Sequence, residues 1–403
     1  MSHVIPEIVS RHAEEAAFLW LLRDRAVGEP HYWPRQLADL DDRIEAHLDG
    51  LRIAGDAGWE QAALQLEVGE PGEVFAAGVL AFEGNDSKRQ QQVIDVATTK
   101  PARARALAGA LAWLPASLAM LRIQNWFASK IAALRWIAVS VAAAQRRVVP
   151  QLEGVLYDDD PFVRARALRA VGELGEVKRL PLLKQNYRHA DPPVRHSACW
   201  AGALACSDPA AVSELQTMAL TDPVFAEPAA ELAARRVSPA PAQTWLRTLI
   251  QVPEASRAAL RAIAALGDPT YMPFVLTALR KLSLARLAGE AIELITGADL
   301  ARDKLDAPQP EGFESGPSDH PDEADVALDP DINLLWPNAD AVENWWNRHK
   351  STFPSGRRHF LGRPPTPESL DEAWRSGKQR HRIAAALELA PQKPLRSWKA
   401  RLR

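Results

Sequence analysis

Cysteines and long apolar stretches are scarce in this chain of 403 residues. Its two cysteines, Cys199 and Cys206, are seven residues apart on one predicted helix, which is too far for a disulfide and typical of a reduced cytosolic protein. No apolar run approaches the roughly 18 residues that a membrane-spanning helix needs. Glu7, Glu14 and Glu15 lie near the start, where a secretory signal would be basic. We therefore expect a cytoplasmic protein that makes no membrane contact.

The short motifs that mark most enzymes are also absent. The sequence contains no G-x-G-x-x-G or G-x-x-x-x-G-K-S/T loop for binding phosphates. It contains no H-E-x-x-H motif or paired C-x-x-C for zinc, and no adjacent His-Glu of the kind that di-iron repeat enzymes need. We therefore expect a protein that is not an enzyme and that holds no metal or cofactor.

Three stretches in the middle of the chain are alike and are spaced by 31 residues. They are Asp160-Pro161-Phe162-Val163-Arg164, Asp191-Pro192-Pro193-Val194-Arg195 and Asp222-Pro223-Val224-Phe225. Each proline is suited to the first turn of an alanine-rich helix, and each aspartate can cap the exposed amides of that turn. A period between about 20 and 50 residues is typical of a solenoid. The predicted fold is therefore all-α, a right-handed α-solenoid of helical pairs.

The same spacing extends over residues 59–297 and predicts eight helical pairs. Their second helices are predicted to begin near Pro71, Pro101, Lys130, Pro161, Pro192, Pro223, Pro253 and Leu284. Residues 1–58 do not follow the spacing. They read as a two-helix cap, with helices over 4–27 and 34–54, which would cover the first exposed repeat face.

Charge divides the chain further. Residues 1–297 carry 32 basic and 34 acidic side chains, a near balance that argues against nucleic acid as a partner. Residues 298–335 carry 11 acidic and two basic side chains with five prolines, which predicts a disordered linker. Residues 336–403 are basic and rich in tryptophan. This last segment is predicted to be helical over 339–350, 367–376 and 379–390.

Two pairs of side chains have a chemical interpretation, but packing explains each better. His196 and Cys199 lie three residues apart on a predicted helix, as a base and a nucleophile would. Cys199, however, aligns with Leu168 and Leu260 of other repeats, which predicts a buried packing residue. His189 and His196 have no evident third partner for a metal ion.

Arginines recur at the starts of the second helices. They are Arg103, Arg105, Arg164, Arg166, Arg169 and Arg195. One interpretation is a basic stripe that binds phosphates. We favour a ladder in which each arginine pairs with a turn aspartate such as Asp160 or Asp191, because acids nearly balance bases over the repeats.

A resemblance to known proteins appears in the turns and in the tail. The Asp-Pro-x-Val-Arg turns followed by alanine-rich helices resemble HEAT-like repeats of the short type over residues 59–297. The tail stretches Gly356-Arg357-Arg358-His359-Phe360-Leu361-Gly362 and Gly377-Lys378-Gln379-Arg380 resemble the end of a bacterial HEAT-repeat family of unknown biochemical function. That family is found in type VI secretion gene clusters. The resemblance implies no catalytic residues.

The basic tail is the predicted contact with a partner protein, because tryptophan and arginine are favoured anchors at interfaces. The predicted partner-binding residues are Trp345, Trp346, Arg357, Arg358, His359 and Arg363. The alternative is that the tryptophans pack on the end of the repeats while the arginines stay solvated or neutralise the acidic linker.

The resemblance therefore implies a non-enzymatic adaptor or scaffold for a type VI secretion effector or spike component. Two alternatives stay open at this point. One is an immunity protein that neutralises a toxin. The other is a HEAT-like DNA-binding or base-excision protein, against which the charge balance of the repeats argues.

Overall fold

A computed structural model of the protein describes residues 5–313 and 329–390. These residues fall into two compact units, 5–201 and 202–390, and the boundary between the units lies within one helix. Helices dominate both units, and within the described residues the strands are limited to one short pair in the second unit. The predicted all-α class with helical repeats is confirmed.

The first unit is a succession of helices, most of which begin at or just after a proline or a small residue. They are α1 (Pro6–Ala26), α2 (Pro34–Ala54), α3 (Asp56–Gln65), α4 (Pro71–Glu83), α5 (Ser87–Ala97), α6 (Pro101–Trp113), α7 (Ala116–Ile123), α8 (Ala132–Ala144), α9 (Leu152–Val155), α10 (Pro161–Leu174), α11 (Leu180–Gln185) and α12 (Pro192–Cys206), the last of which crosses the boundary. Short 3₁₀ turns lie at Trp126–Ala128 and Val177–Arg179.

Local chemistry explains where the second helices α10 and α12 begin. The carboxylate of Asp160 accepts hydrogen bonds from the backbone N–H groups of Phe162 and Val163, at 2.9 and 3.2 Å. Asp191 accepts from the N–H of Val194 at 2.9 Å. The proline at each first position lacks only an N–H that would have had no helical partner. The aspartate-proline turns thus act as the predicted helix starts.

The seam between successive repeats is built from small and apolar side chains. Ala167, Leu168 and Val171 of α10 are fully buried. A Cβ atom on Gly172 would lie 2.7 Å from the Cα atom of Ala201, so α10 approaches α12 more closely than any side chain at this position would allow. Burying one leucine in such a seam contributes about 1.5–3 kcal/mol, which is how the repeats stabilise one another.

The two N-terminal helices match the predicted cap helices closely. Trp20 of α1 stacks on Phe75 of α4, with 4.9 Å between ring centroids. Arg23 of α1 forms a buried ion pair with Asp41 of α2, Nε to Oδ1 at 2.8 Å. These contacts hold α1 and α2 against the first repeat of this unit.

The second unit contains the remaining helices and both strands. Its helices are α13 (Pro209–Thr221), α14 (Ala226–Arg235), α15 (Pro239–Gln251), α16 (Ser256–Leu266), α17 (Met272–Ala278), α18 (Leu282–Thr296), α19 (Ala339–His349), α20 (Pro367–Ser376) and α21 (Gln379–Leu389). Short 3₁₀ turns lie at Pro253–Ala255, Pro269–Tyr271 and Lys350–Thr352. The strands β1 (Asp306–Ala307) and β2 (Trp336–Pro337) pair antiparallel, with Ala307 opposite Trp336.

The chain of the second unit folds back along its own repeats after α18. Residues 356–363, which we call the strap, cross the C-terminal ends of α16 and α18. The N–H of Gly356 donates to the Asp268 carboxylate at 2.8 Å, and the N–H of Leu361 donates to the carbonyl of Leu294 at 2.7 Å. The strap therefore satisfies polar groups that a helix end leaves without partners.

Two expectations need correction. Residues 298–313 and 329–335 make defined contacts in the second unit, so the disorder predicted for 298–335 is wrong for these two stretches, and residues 314–328 lie outside the described residues. Acidic composition suggested disorder, but arginines of the repeats bind two of these acids. Two second helices also begin later than predicted, α14 at Ala226 and α16 at Ser256, because Pro223 and Pro253 start a turn before the helix.

Candidate partner-binding surfaces

Trp345 and Trp346, both predicted to bind a partner, lie on α19 and pack against the core of the second unit. The ring of Trp345 stacks on His349, with 4.3 Å between centroids. The ring of Trp346 stacks on Phe353 at 5.8 Å. Both indoles are half-buried. Most of their contacts are thus made within the chain, as the packing alternative expected, and part of each ring stays exposed.

Arg358 and His359 lie in the strap and face inward. Arg358 donates through Nε to the carbonyl of Leu266 at 3.0 Å and through Nη2 to Oε1 of Glu388 at 2.5 Å. The backbone N–H of His359 donates to the carbonyl of Gly267 at 2.8 Å, and the His359 side chain is buried. Contrary to expectation, these two side chains serve the fold of the second unit and do not form an exposed surface.

Arg357 and Arg363 are the exposed members of the predicted set. Arg363 pairs with Glu372, Nη1 to Oε2 at 2.9 Å, but both side chains are more than half exposed. A pair of this kind contributes about 0–1 kcal/mol and gives way easily to another carboxylate. The structure therefore divides the six residues into two exposed arginines, two half-buried tryptophans and two internal side chains.

Two acidic residues near the end of the predicted linker bind to the second helices α16 and α18. Arg257 of α16 forms a bidentate ion pair with Asp331, Nη1 to Oδ2 at 2.6 Å and Nη2 to Oδ1 at 2.9 Å. Arg286 of α18 donates to the carboxylate of Asp329 and, at 3.0 Å, to the carbonyl of Asp331. A turn that begins Asp329-Pro330-Asp331 is thus held across two neighbouring repeats, and we call this turn the acidic turn.

Aromatic rings also line the site at which the acidic turn binds. The guanidinium of Arg286 lies over the ring of Trp336, 4.6 Å from its centroid, and 5.2 Å from that of Phe313. Arg286 is almost fully buried, so these cation–π contacts are desolvated and can contribute about 2 kcal/mol. The acidic turn therefore carries carboxylates to arginines of the repeats, and flanking residues supply aromatic rings.

The charges on this face of α14, α16 and α18 are balanced. Arg261 of α16 pairs with Glu227 of α14 at 3.1 Å and with Glu290 of α18 at 2.5 Å. Arg380 of α21 approaches Glu290 at 3.4 Å. Four arginines meet four carboxylates here, namely Arg257, Arg261, Arg286 and Arg380 with Glu227, Glu290, Asp329 and Asp331. Two of these four carboxylates come from the acidic turn.

Two carboxylates of this network, those of Asp331 and Glu227, are held in their charged form. Burial acts to raise the pKa of Asp331, but hydrogen bonds and charge from Arg257 outweigh burial, so its pKa lies below the ordinary value of 3.8. Burial is likewise outweighed at Glu227, whose pKa lies below 4.5 because of Arg257 and Arg261. The contacts are therefore charge-assisted hydrogen bonds at neutral pH.

The first unit carries a second surface, on α8, α10 and α12, whose three aromatic rings differ in exposure: Phe162 is exposed, Trp136 is half-buried and Trp200 is buried. Phe162 stacks on Trp136 with 5.3 Å between centroids and 7° between ring planes, and Phe162 is 48% exposed. The surface, which we call the aromatic–arginine surface, consists of Trp136, Ser140, Arg146, Phe162, Arg166, Arg169, Glu173 and Trp200. The members on α10 recur at three- and four-residue steps, which places them on one side of the helix.

Arginines outnumber acids on this surface. Arg166 donates to Ser140 Oγ at 3.0 Å and to Glu173 Oε2 at 2.9 Å. Arg169 pairs with Glu173 at 3.3 Å and lies over the Trp200 ring, 4.0 Å from its centroid. Arg146 donates to the backbone carbonyl of Glu173 at 2.5 Å. Among the described residues, Glu173 therefore bonds to three guanidinium groups, two through its carboxylate and one through its backbone carbonyl.

A local excess of positive charge accompanies this arrangement. Residues 130–201 carry 12 Lys and Arg against seven Asp and Glu. The near balance counted over residues 1–297 concealed this excess, because residues 1–129 carry 12 basic and 18 acidic side chains. The aromatic–arginine surface was missed for the same reason. The sequence did contain one signal for this surface. Phe162 is a large aromatic residue in the first turn of a helix, at a position outside the apolar seam.

The predicted arginine ladder has different partners from those expected. Asp160 and Asp191 cap their own helices. The arginines bond elsewhere: Arg103 to Thr99, Arg105 to Asp24, Arg164 to Asn186, Arg166 and Arg169 to Glu173, and Arg195 to the carbonyl of His189. An aspartate whose carboxylate already accepts two backbone N–H groups is oriented toward its own helix, away from the neighbouring arginine.

The cysteine and histidine candidates lie in the interior. Cys199 is fully buried, and its Sγ atom lies 3.6 Å from the carbonyl oxygen of Tyr187. His196 is also buried. Cys206, half-buried, donates to the carbonyl of Gly202 at 3.2 Å. The seam position predicted for Cys199 agrees with its burial, and its thiol is shielded from solvent.

Within residues 5–313 and 329–390, no three His, Cys, Asp or Glu side chains are grouped so that they could hold a metal ion. No helix in these residues has the length and apolar character needed to cross a membrane.

Comparison with known proteins supports the repeat interpretation. A family model of HEAT repeats matches residues 124–205 and, overlapping them, residues 158–235. These ranges contain α8, α10, α12 and α14, so the chain is similar to HEAT repeats at the helices that carry the aromatic–arginine surface. No curated protein matches the chain.

Proposed function

We propose that this protein is a non-enzymatic scaffold that binds another protein through the aromatic–arginine surface of its first unit. The observation that carries the proposal is the exposed stack of Phe162 on Trp136 beside Arg166 and Arg169. Aromatic side chains and arginine are the residues that most often anchor protein interfaces. HEAT repeats commonly act as scaffolds for protein interactions, which agrees with the proposal.

Burial supports the choice of surface. In the second unit, the acidic turn and its neighbours already cover the arginines of α16 and α18. In the first unit, the stacked ring of Phe162 remains exposed although the α10 seam next to it is fully buried. The pair joins α8 to α10, but the Phe162 ring still leaves apolar area exposed, and that area becomes useful when a partner covers it.

The finer identity of the partner follows from the resemblance of the tail. We propose a type VI secretion effector or spike component as the partner and the cytoplasm as the site of binding. Arg357 and Arg363, with the exposed parts of Trp345 and Trp346, form a second proposed contact with the same partner. We leave Arg358 and His359 out of this proposed contact, because they bond within the second unit.

Co-expression followed by size-exclusion chromatography tests the proposal. The tagged full-length chain is expressed with each effector and spike protein encoded beside its gene. We expect one of them to co-elute, and Phe162→Ala to weaken the complex about tenfold, since an interface anchor contributes on the order of 1–2 kcal/mol. Tyr157→Ala is the matched control, because Tyr157 is also exposed on the first unit but lies outside the surface.

Two results would contradict the proposal. If none of these proteins co-elutes with a folded chain, the adaptor function is wrong. If Phe162→Ala and Tyr157→Ala bind equally well, the partner uses another surface. Co-expression with a toxic effector, scored by cell growth, separates an adaptor from an immunity protein, because only an immunity protein restores growth.

A further inference from the structure

The acidic turn shows how helices of the second unit bind an acidic segment, and this arrangement can be compared with the aromatic–arginine surface. In the second unit, the acidic turn lies across α16 and α18, and its carboxylates bond to Arg257 and Arg286. The pairing of β1 with β2 holds the neighbouring chain close to the repeats, and the carboxylates of the turn supply its contacts with Arg257 and Arg286. The turn therefore shows that a non-helical acidic segment can bind to successive second helices.

Equivalent positions of the repeats can be compared between the helices that bind the acidic turn and those of the first unit. Counted from the aligned prolines Pro161 and Pro253, Arg169 occupies the position in α10 that Arg261 occupies in α16. Arg261 has carboxylates on both neighbouring helices, Glu227 and Glu290. Arg169 has instead a carboxylate of its own helix and the ring of Trp200 on the next helix. Among the described residues, no carboxylate of a neighbouring helix pairs with Arg169, whereas two such carboxylates pair with Arg261.

The arginines of the first unit have fewer carboxylate partners than those of the second unit, and this difference indicates what kind of ligand would fit. Among the described residues, Arg166 and Arg169 pair with the one carboxylate of Glu173 and Arg146 bonds to the backbone carbonyl of Glu173, whereas the four arginines of the second-unit face meet four carboxylates. The aromatic rings differ in origin as well. In the second unit, residues flanking the turn supply them, whereas Trp136 and Phe162 already belong to the repeat helices. A ligand of the first unit therefore needs to bring carboxylates and an apolar contact for the ring pair.

We propose that the aromatic–arginine surface binds an acidic, non-helical segment of a partner protein, in the manner in which α16 and α18 bind the acidic turn. This inference rests on the proposed function and names the class of ligand. Carboxylates of the segment pair with Arg166 and Arg169, and an apolar side chain lies on the Phe162–Trp136 stack. The local excess of basic residues steers an acidic segment to this part of the chain.

Fluorescence anisotropy with synthetic peptides tests the ligand class directly. The probe is a fluorescein-labelled repeat of Asp-Pro-Glu-Gly, about twelve residues long, which is acidic and resists helix formation. The matched probe replaces each acid by its amide. We expect the acidic probe to bind the full-length chain and to lose affinity as salt rises, and the amide probe to bind at least about tenfold more weakly.

Variants locate the binding site. Arg169→Gln is expected to weaken the acidic probe about tenfold, and Ser140→Glu is expected to do the same by pairing with Arg166 without removing an arginine. Lys178→Gln is the charge-matched control, because Lys178 lies in the same basic stretch but is largely exposed outside the surface. Its expected effect is less than twofold. Circular dichroism checks that each variant is folded, and Ser140→Glu provides an answer if Arg169→Gln is not.

Three outcomes would overturn the inference. The acidic probe fails to bind, or Lys178→Gln weakens it as much as Arg169→Gln does, or a labelled single-stranded DNA of similar charge binds more tightly than the peptide. The last result would assign the surface to phosphates. If a partner still co-elutes in the chromatography experiment while the acidic probe does not bind, the scaffold function stands and only the ligand class is wrong.

Discussion

Replacing Asp331 by asparagine tests whether the acidic turn stabilises the second unit. Asp331 is buried and forms a two-pronged pair with Arg257, at 2.6 and 2.9 Å. Removing one partner of a buried ion pair typically costs about 3–5 kcal/mol. Arg257 is partly exposed and keeps Glu227 at 2.7 Å, so it is not left alone. We therefore expect Asp331→Asn to lower the free energy of unfolding of the second unit by about 2–3 kcal/mol.

Thermal and chemical unfolding measure this change. For a unit of this size, a loss of 2–3 kcal/mol corresponds to a fall in Tm of about 5–10 °C. Tryptophan fluorescence reports on the second unit through Trp336, which lies beside Arg286 at the same seat. Asp340→Asn is the matched control, since Asp340 pairs with Arg280 on the exposed surface, and its Tm should equal that of the unchanged chain.

The dependence on pH gives an independent reading of the same pair. The folded pKa of Asp331 lies below 3.8, so the carboxylate stabilises the fold above that value, and this stability is lost as pH falls from about 5 through the folded pKa. Asparagine does not titrate, so the variant should lose less stability over this range. A variant with unchanged Tm and an unchanged acid slope would refute the view that the acidic turn is held by its charge.

Further predictions concern the strap, one histidine and the cysteines. Gly267→Ala should destabilise the second unit by at least about 1–3 kcal/mol and lower its Tm, because Gly267 has φ +71° and a Cβ atom would lie 2.0 Å from the His359 carbonyl oxygen. Gly312→Ala controls for the backbone strain alone, since Gly312 has φ +74° with open space around it. Burial, with a smaller effect of Lys378, lowers the pKa of His381 to about 4, so NMR should show no titration of its ring between pH 5.5 and 8. The free energy of unfolding should fall as pH drops from about 6.5 toward 4, and His381→Gln should remove this dependence on pH. A thiol reagent should modify Cys206 in the folded chain and Cys199 only after denaturation, and equal rates would contradict the burial of Cys199.

The helix starts were predictable because their causes are local. Pro161 and Pro192 lie one residue after aspartates that cap the same turn, so a few neighbouring residues determine where α10 and α12 begin. The same holds for α20, where Thr366 caps a helix that begins at Pro367. Pro223 follows an aspartate in the same way, whereas Pro253 follows Val252, yet each proline starts a turn and the helix begins three residues later, at Ala226 and Ser256.

The candidate surfaces were predictable only in part. Tryptophan and arginine content pointed to the tail, but composition does not distinguish Arg357, which is exposed, from Arg358, which bonds to the ends of a helix. The sum of charges over the repeats gave near balance and hid the basic excess around α10. A sum over a long stretch cannot show that three arginines share Glu173, because that depends on which side chains the helices bring together.

The sequence by itself determined the period, the helix boundaries set by caps and prolines, and the apolar seam, since all of these arise from interactions within one helical turn or between equivalent positions of a repeat. Tertiary structure alone decided that Asp331 binds Arg257, 74 residues earlier, and that Asp329 binds Arg286. It likewise decided that the Phe162 ring stays exposed while the seam beside it is buried. Such contacts join residues that have no periodic relation in the chain, and only folding brings their charges and rings within reach.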